Sequence, residues 1–155
     1  MRALLAAIRC EKGDIAANLA SHLRLLAEAR QGGCDFALFP EMSLTGSVDP
    51  AAHPARLIRV DHPAVAALAR ATGGTGVGAC FGVAERSAGG SPYITQVFAA
   101  GGRVVGAQRK RHLGEGEGAF TAGHGTQVFE HAGLRFSARK ASGQRGLGRR
   151  RTGDA

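Results

Sequence analysis

The sequence predicts an α/β fold in one domain, on three observations. The first forty residues alternate a short apolar run, an amphipathic stretch and a second apolar run, the pattern of a β-α-β crossover in a mostly parallel or mixed sheet. The second run, Phe36-Ala37-Leu38-Phe39, stops at Pro40-Glu41-Met42. Proline cannot donate to a strand ladder, so Glu41 should sit just past the strand's C-terminal end, where open α/β sheets keep their chemistry. The third observation is a hairpin: Ile94 to Ala100 and Arg103 to Gln108 are strand-like runs separated by Gly101-Gly102 alone, a two-residue turn in which both residues can take positive φ.

Along the chain, Ala3 to Ile8 is a short apolar run and reads as a first strand. Asp14 is a suitable N-cap for a helix to Arg30, whose apolar stripe is Ile15, Leu19, Leu23 and Leu26. Gln31-Gly32-Gly33 closes that helix and Cys34 to Phe39 forms the next strand. A loop punctuated by Pro and His follows, with a helical turn near Leu57-Ile58. Pro63 opens a second helix to Ala71 with Val65 and Leu68 inward. Gly76 to Arg86 returns as a strand, and Gly89-Gly90-Ser91-Pro92 turns into the hairpin.

Composition bounds the function. With 155 residues, 44% of them hydrophobic and 21% charged, the chain suits one globular unit rather than a disordered or fibrous one. Three widely spaced cysteines, Cys10, Cys34 and Cys80, predict neither a disulfide framework nor a zinc site, and a reducing cytoplasm fits them best. No stretch approaches the roughly 20 apolar residues of a membrane span, so the chain is expected to be soluble. The net charge of +8 is uneven, since residues 138–155 hold six cations against Asp154 and so carry +5 of it. This Gly/Arg-rich stretch, with one Leu and no aromatic, is predicted to be a disordered tail on a domain spanning 1–137. Phosphate charge without base stacking does not predict a nucleic-acid function.

The stretch after the hairpin is the most informative. Arg109-Lys110-Arg111 reads, from charge alone, as a solvated strand end that blunts aggregation. Gly114-Glu115-Gly116-Glu117-Gly118 is no phosphate cradle, because its carboxylates repel an anion and it lacks the lysine and hydroxyl of a P-loop. His112, His124 and His131 lack the close helical spacing of a zinc motif, and no metal is predicted.

Asn18-Leu19, then Phe39-Pro40-Glu41-Met42-Ser43-Leu44-Thr45-Gly46, then Gly102-Arg103-Val104-Val105-Gly106 leading into Arg109-Lys110-Arg111-His112-Leu113, resemble the nitrilase, or carbon-nitrogen hydrolase, superfamily in order and spacing. The resemblance covers about residues 1–137. It implies an α-β-β-α sandwich, no cofactor, and a Glu-Lys-Cys set that hydrolyses small-molecule amides, carbamoyl groups or nitriles; it leaves a homo-oligomer open. Glu41 matches the general base and Lys110 the lysine that stabilises the oxyanion. The second glutamate of such sites, which holds the lysine and substrate, matches Glu115 or Glu117, and the glycine-rich spacing does not decide which.

The nucleophile is the exception. Gly133-Leu134-Arg135-Phe136-Ser137 opens the strand that carries the cysteine in the family, but the chain continues Ala138-Arg139-Lys140-Ala141-Ser142. The nucleophile's slot thus falls near Lys140 or Ala141 and holds no thiol. Cys10, Cys34 and Cys80 belong to early strands or their edges and read as small buried hydrophobes, while Ser137 and Ser142 lack the strand context of a substitute. The apolar pattern stops at Phe136, which predicts a frame shift or other truncation near Ser137. The expected outcome is an incomplete sandwich of the nitrilase type and an inactive hydrolase; the alternative is a non-catalytic binding or oligomerisation partner.

Overall fold

The computed structural model describes residues 1–137. The basic stretch 138–155, with the expected nucleophile slot at Lys140 or Ala141, lies outside the described residues. Two helices pack on one face of a five-stranded sheet. The strands are β1 (Ala3–Leu5), β2 (Phe36–Leu38), β3 (Gly78–Arg86), β4 (Pro92–Ala100) and β5 (Arg103–Arg109), in spatial order β1-β2-β3-β4-β5. β1, β2 and β3 run parallel, and β3, β4 and β5 antiparallel. A separate hairpin, β6 (Phe129–His131) and β7 (Leu134–Phe136), covers part of the opposite face.

The β-α-β reading holds, with shorter strands than expected. β1 ends at Leu5 rather than Ile8, and Leu5 itself is largely exposed. α1 (Ile15–Gln31) starts at the expected cap, where the Asp14 carboxylate accepts from the Ala17 amide at 3.0 Å. Its buried face differs from the leucine stripe: Asn18, His22, Leu26 and Ala29 are buried, whereas Leu23 is exposed. α2 (Pro63–Ala71) has the expected bounds, and the His62 ring caps it by accepting from the Ala64 amide at 3.1 Å. The helical turn expected near Leu57-Ile58 lies earlier, at Pro54–Arg56. Ile58 is extended instead and bridges Glu85 in parallel, with its amide donating to Ala84 O at 3.0 Å.

Strand alternation sorts the two faces of the sheet. Ala37, Ala79, Phe81, Val83, Val97 and Ala99 meet Leu26, Val65 and Leu68 of the helices in the main core. Full burial of each such valine, leucine or phenylalanine contributes about 1.5–3 kcal/mol. Phe36, Cys80 and Phe98 face the other way and pack with Phe129 of the β6–β7 hairpin. At the β4–β5 turn Gly101 and Gly102 adopt φ of 60° and 83°, the paired positive angles that a hairpin of this twist requires.

Candidate active site

The residues after β2 do not simply leave the sheet. Residues 41–45 form a turn laid along β3, tied to it by hydrogen bonds from backbone and side chains. The Leu44 amide donates to Gly82 O at 2.9 Å, the Ala84 amide to Thr45 Oγ1 at 2.9 Å and the Gly82 amide to Ser43 Oγ at 3.3 Å. Asn18 of α1 binds the same turn, its Nδ2 donating to Leu44 O at 3.1 Å. Gly82 permits the approach: a Cβ there would collide with Met42 N and lie 2.9 Å from Glu41 Cα. Met42, directly after Glu41, has φ of 53°, a left-handed conformation that a side chain adopts only when its surroundings impose it.

From the other side, the end of β5 delivers Lys110. Its amide donates to Ile94 O and its carbonyl accepts from the Gly123 amide, both at 2.8 Å. Lys110 Nζ donates to Glu41 Oε1 at 2.9 Å and to Glu117 Oε1 at 2.5 Å. The lysine side chain is only 6% exposed, against 34% for Glu41 and 16% for Glu117. One ammonium therefore stands between two carboxylates in a largely dehydrated place, where such contacts are stronger than at a surface. The loop curls around Glu117, whose Oε2 accepts from the Gly114 amide at 2.6 Å. Of the two glutamates left open by the glycine-rich spacing, Glu117 reaches the lysine. Glu115 is exposed and makes no hydrogen bond or ion pair among the described residues.

The solvated strand end expected of Arg109-Lys110-Arg111 is thereby corrected, because only Arg111 of the three is exposed. Arg109 donates from Nε and Nη2 to the two oxygens of Glu85, at 2.9 and 2.6 Å. It also lies over the Tyr93 ring, 4.0 Å from the centroid. Buried Glu85, which accepts from Thr95 Oγ1 at 2.5 Å as well, gives the guanidinium a reason to turn inward. A charge count along β5 cannot see a carboxylate on β3, two strands away across β4.

Glu41 and Lys110 open onto a cavity of about 420 Å³ lined also by Leu38, Cys80, Ile94, Gln96 and Phe136. The reading of all three cysteines as buried is corrected in part: Cys80 is buried, but Cys10 and Cys34 are half-buried. Burial pushes the Cys80 thiol up, and its hydrogen bond with Gln96 only partly offsets this. Cys80 is thus poorly suited to form a thiolate. Gln96, whose Nε2 donates to Phe39 O at 3.4 Å, carries no sequence signal. It sits in a strand at a position whose period marks only the face. Ser137 also lines the cavity. His131 packs against Phe36 and Phe98, with Nε2 3.0 Å from Asp35 O.

The carbon-nitrogen hydrolase model matches residues 4–139. The chain belongs to the carbon-nitrogen hydrolase family. Solved structures with this fold include a CN-hydrolase superfamily protein from Xanthomonas campestris with an arsenic adduct in its active site (TM-score 0.75, 23% identity, 88% of this chain and 51% of that one). They also include an amidase from Nesterenkonia sp. (0.73, 24%, 88% and 54%). A third is the glutamine-dependent NAD+ synthetase of Acinetobacter baumannii (0.72, 21%, 87% and 26%). The chain spans about half the length of the first two and about a quarter of the third. No curated protein sequence matches it. No helix among the described residues is long and apolar enough to cross a membrane.

Proposed function

We propose that this chain carries the base, lysine and second glutamate of a carbon-nitrogen hydrolase site for small-molecule amides or nitriles, and that as written it binds such compounds without turning them over. The observation that carries the reading is Lys110 Nζ, held by Glu41 and Glu117 at the edge of the 420 Å³ cavity. In a complete site of this type, a thiol gives its proton to the carboxylate matching Glu41. The thiolate attacks the carbonyl or nitrile carbon, and the ammonium matching Lys110 stabilises the oxygen or nitrogen that gains charge. From an amide, ammonia or an amine leaves, and water activated by the same carboxylate hydrolyses the thioester. Glu117 keeps the lysine in register.

Inactivity rests on residue identity: the nucleophile's slot falls near Lys140 or Ala141, and neither supplies a thiolate. Cys80 lines the cavity, but its burial works against ionisation. The test uses the 155-residue chain. Titration with propionamide is expected to shift the amide resonances of Glu41, Gln96 and Lys110 with no ammonia released. Ammonia release that survives purification overturns the inactivity, and unmoved resonances overturn the site. Reading the gene in the other frames after the Ser137 codon tests the frame-shift origin. An Ile-Cys followed by further strand and helix patterns supports it, and none in any frame ends it.

A further inference from the structure

His22 has no exposed surface and no part in the chemistry above. Its Nδ1 lies 2.6 Å from the Asn18 carbonyl oxygen. A carbonyl can only accept, so Nδ1 carries the ring proton, and Nε2 of the neutral ring is the acceptor. The partner of Nε2, Ser43 Oγ at 2.9 Å, must therefore donate, and it accepts in turn from the Gly82 amide at 3.3 Å. A chain with one direction runs from β3 through the turn to α1: Gly82 N–H to Ser43 Oγ, Oγ–H to Nε2, Nδ1–H to Asn18 O. The ring also stacks on Phe39, 4.3 Å between centroids. Phe39 is two residues before Glu41 and Ser43 two residues after it, so the imidazole grips the turn on both sides of the carboxylate.

We propose that His22 is a positioning residue for Glu41, acting through Ser43 and Phe39 to fix the turn at the place where Glu41 meets Lys110. This rests on the reading of Glu41 as the base. An apolar side chain of similar size would fill the same space but leave the Ser43 hydroxyl without its acceptor. The turn could then relax away from β3, and the left-handed Met42 gives it reason to. The groups facing the ring are Asn18 from its own helix, Ser43 and Phe39 from the β2 exit and Phe81 from β3. None of them titrates, so the tautomer is set by hydrogen bonding and burial alone.

The test uses nuclear magnetic resonance on the full chain. In the wild type, imidazole ¹⁵N shifts should show the Nδ1–H tautomer; the Nε2–H tautomer overturns the relay. In His22→Leu, exchange of the Leu44 and Gly82 amides should accelerate about tenfold relative to those of α2 and β4, equivalent to about 1.4 kcal/mol or one net hydrogen bond. His22→Gln, which keeps an acceptor for Ser43, should restore slow exchange and the Glu41–Lys110 contact. A merely structural role would speed all amides together, and that result, or unmoved Leu44 and Gly82 amides, refutes the proposal. Should His22→Leu fail to fold, Ser43→Ala removes the hydroxyl at nearly constant volume and is read in the same way. None of these readouts needs a ligand. A failure of the amide-site reading leaves them in place, and their failure leaves amide binding to be measured.

Discussion

Lys110 Nζ meets Glu41 Oε1 at 2.9 Å across a sequence separation of 69 residues. The contact joins the exit of β5 to the exit of β2, two strands that are not neighbours in the sheet. Replacing the ammonium by a thioether in Lys110→Met removes the charge that both Glu41 and Glu117 bind. Breaking a fully buried pair costs about 3–5 kcal/mol, and the 34% exposure of Glu41 lets water take part of that. A loss of about 2–4 kcal/mol in urea unfolding is expected, against about 1 kcal/mol for Glu41→Gln, whose amide oxygen still accepts. Equal losses for the two variants would show that the cation is not shared.

Gly82→Ala tests how the turn is seated. The added methyl must displace the Met42 amide and crowd Glu41 Cα at 2.9 Å, and neither is a flexible side-chain end. A cost of about 2–4 kcal/mol is expected, in the upper range of overpacking because backbone must move. The resonances of Glu41 and Lys110 should shift together. A stability loss of under about 0.5 kcal/mol, the scale of a neutral surface substitution, would mean that the turn is seated elsewhere in solution.

Burial lowers the pKa of His22 below its ordinary 6.5, with the Asn18 hydrogen bond only partly opposing it. As pH falls through 6.5 the unfolded chain takes up a proton at this position that the folded chain refuses. Proton uptake then favours unfolding. Stability should fall with decreasing pH from about 6.5 down to the lowered folded value, with a slope of at most about 1.4 kcal/mol per pH unit from one site. Below that value the His22 contribution levels off. Urea midpoints at several pH values should show a component that His22→Gln removes; an unchanged profile in that variant would assign the pH dependence to other groups.

The same helix shows what could and could not be read from the sequence. Ile15, Leu19, Leu23 and Leu26 recur at steps of four, four and three, and so do Asn18, His22, Leu26 and Ala29. Periodicity locates the helix but does not choose between two stripes that share Leu26. Tertiary partners choose: Asn18 and His22 are buried because Leu44 O and Ser43 Oγ meet them. Glu41 was legible because an apolar run ending in proline marks a strand exit. Choosing Glu117 over Glu115 needed the fold of the loop, in which the Gly114 amide is bonded back to Glu117. The β6–β7 hairpin was half legible. Gly133 to Phe136 reads as a strand, but its partner Phe129–His131 is too short to show a period.

Arg109 and Glu85 form a separate ion pair next to Lys110, and the carboxylate is only 4% exposed. Arg109→Ala leaves that carboxylate with Thr95 as its remaining side-chain partner, at an expected cost of about 3–5 kcal/mol. Replacing both partners with apolar residues, Arg109→Met with Glu85→Leu, should cost less than the sum of the single changes, since no charge is left buried. The double-mutant cycle measures this, and strict additivity would show that the two groups do not interact in solution.

The cysteines offer the most direct check on the chemistry assigned to the cavity. Cys80 is a thiol in the same cavity as a carboxylate and an ammonium, an arrangement that on composition alone suggests a substitute nucleophile. Two features oppose it: the residue is 8% exposed, and burial raises its thiol pKa. Cys10 is pushed up as well, by burial and by Glu11, but it is half-buried and its sulfur is more accessible. Alkylation by iodoacetamide near pH 8, followed by peptide mass spectrometry, should therefore modify Cys10 and Cys34 well before Cys80. The order is expected to hold in the presence of an amide. An activated nucleophile would reverse it, reacting first because its thiolate is already formed. Early labelling of Cys80, lost in Glu41→Gln, would identify a working base–thiol pair and overturn the inactivity proposed for this chain.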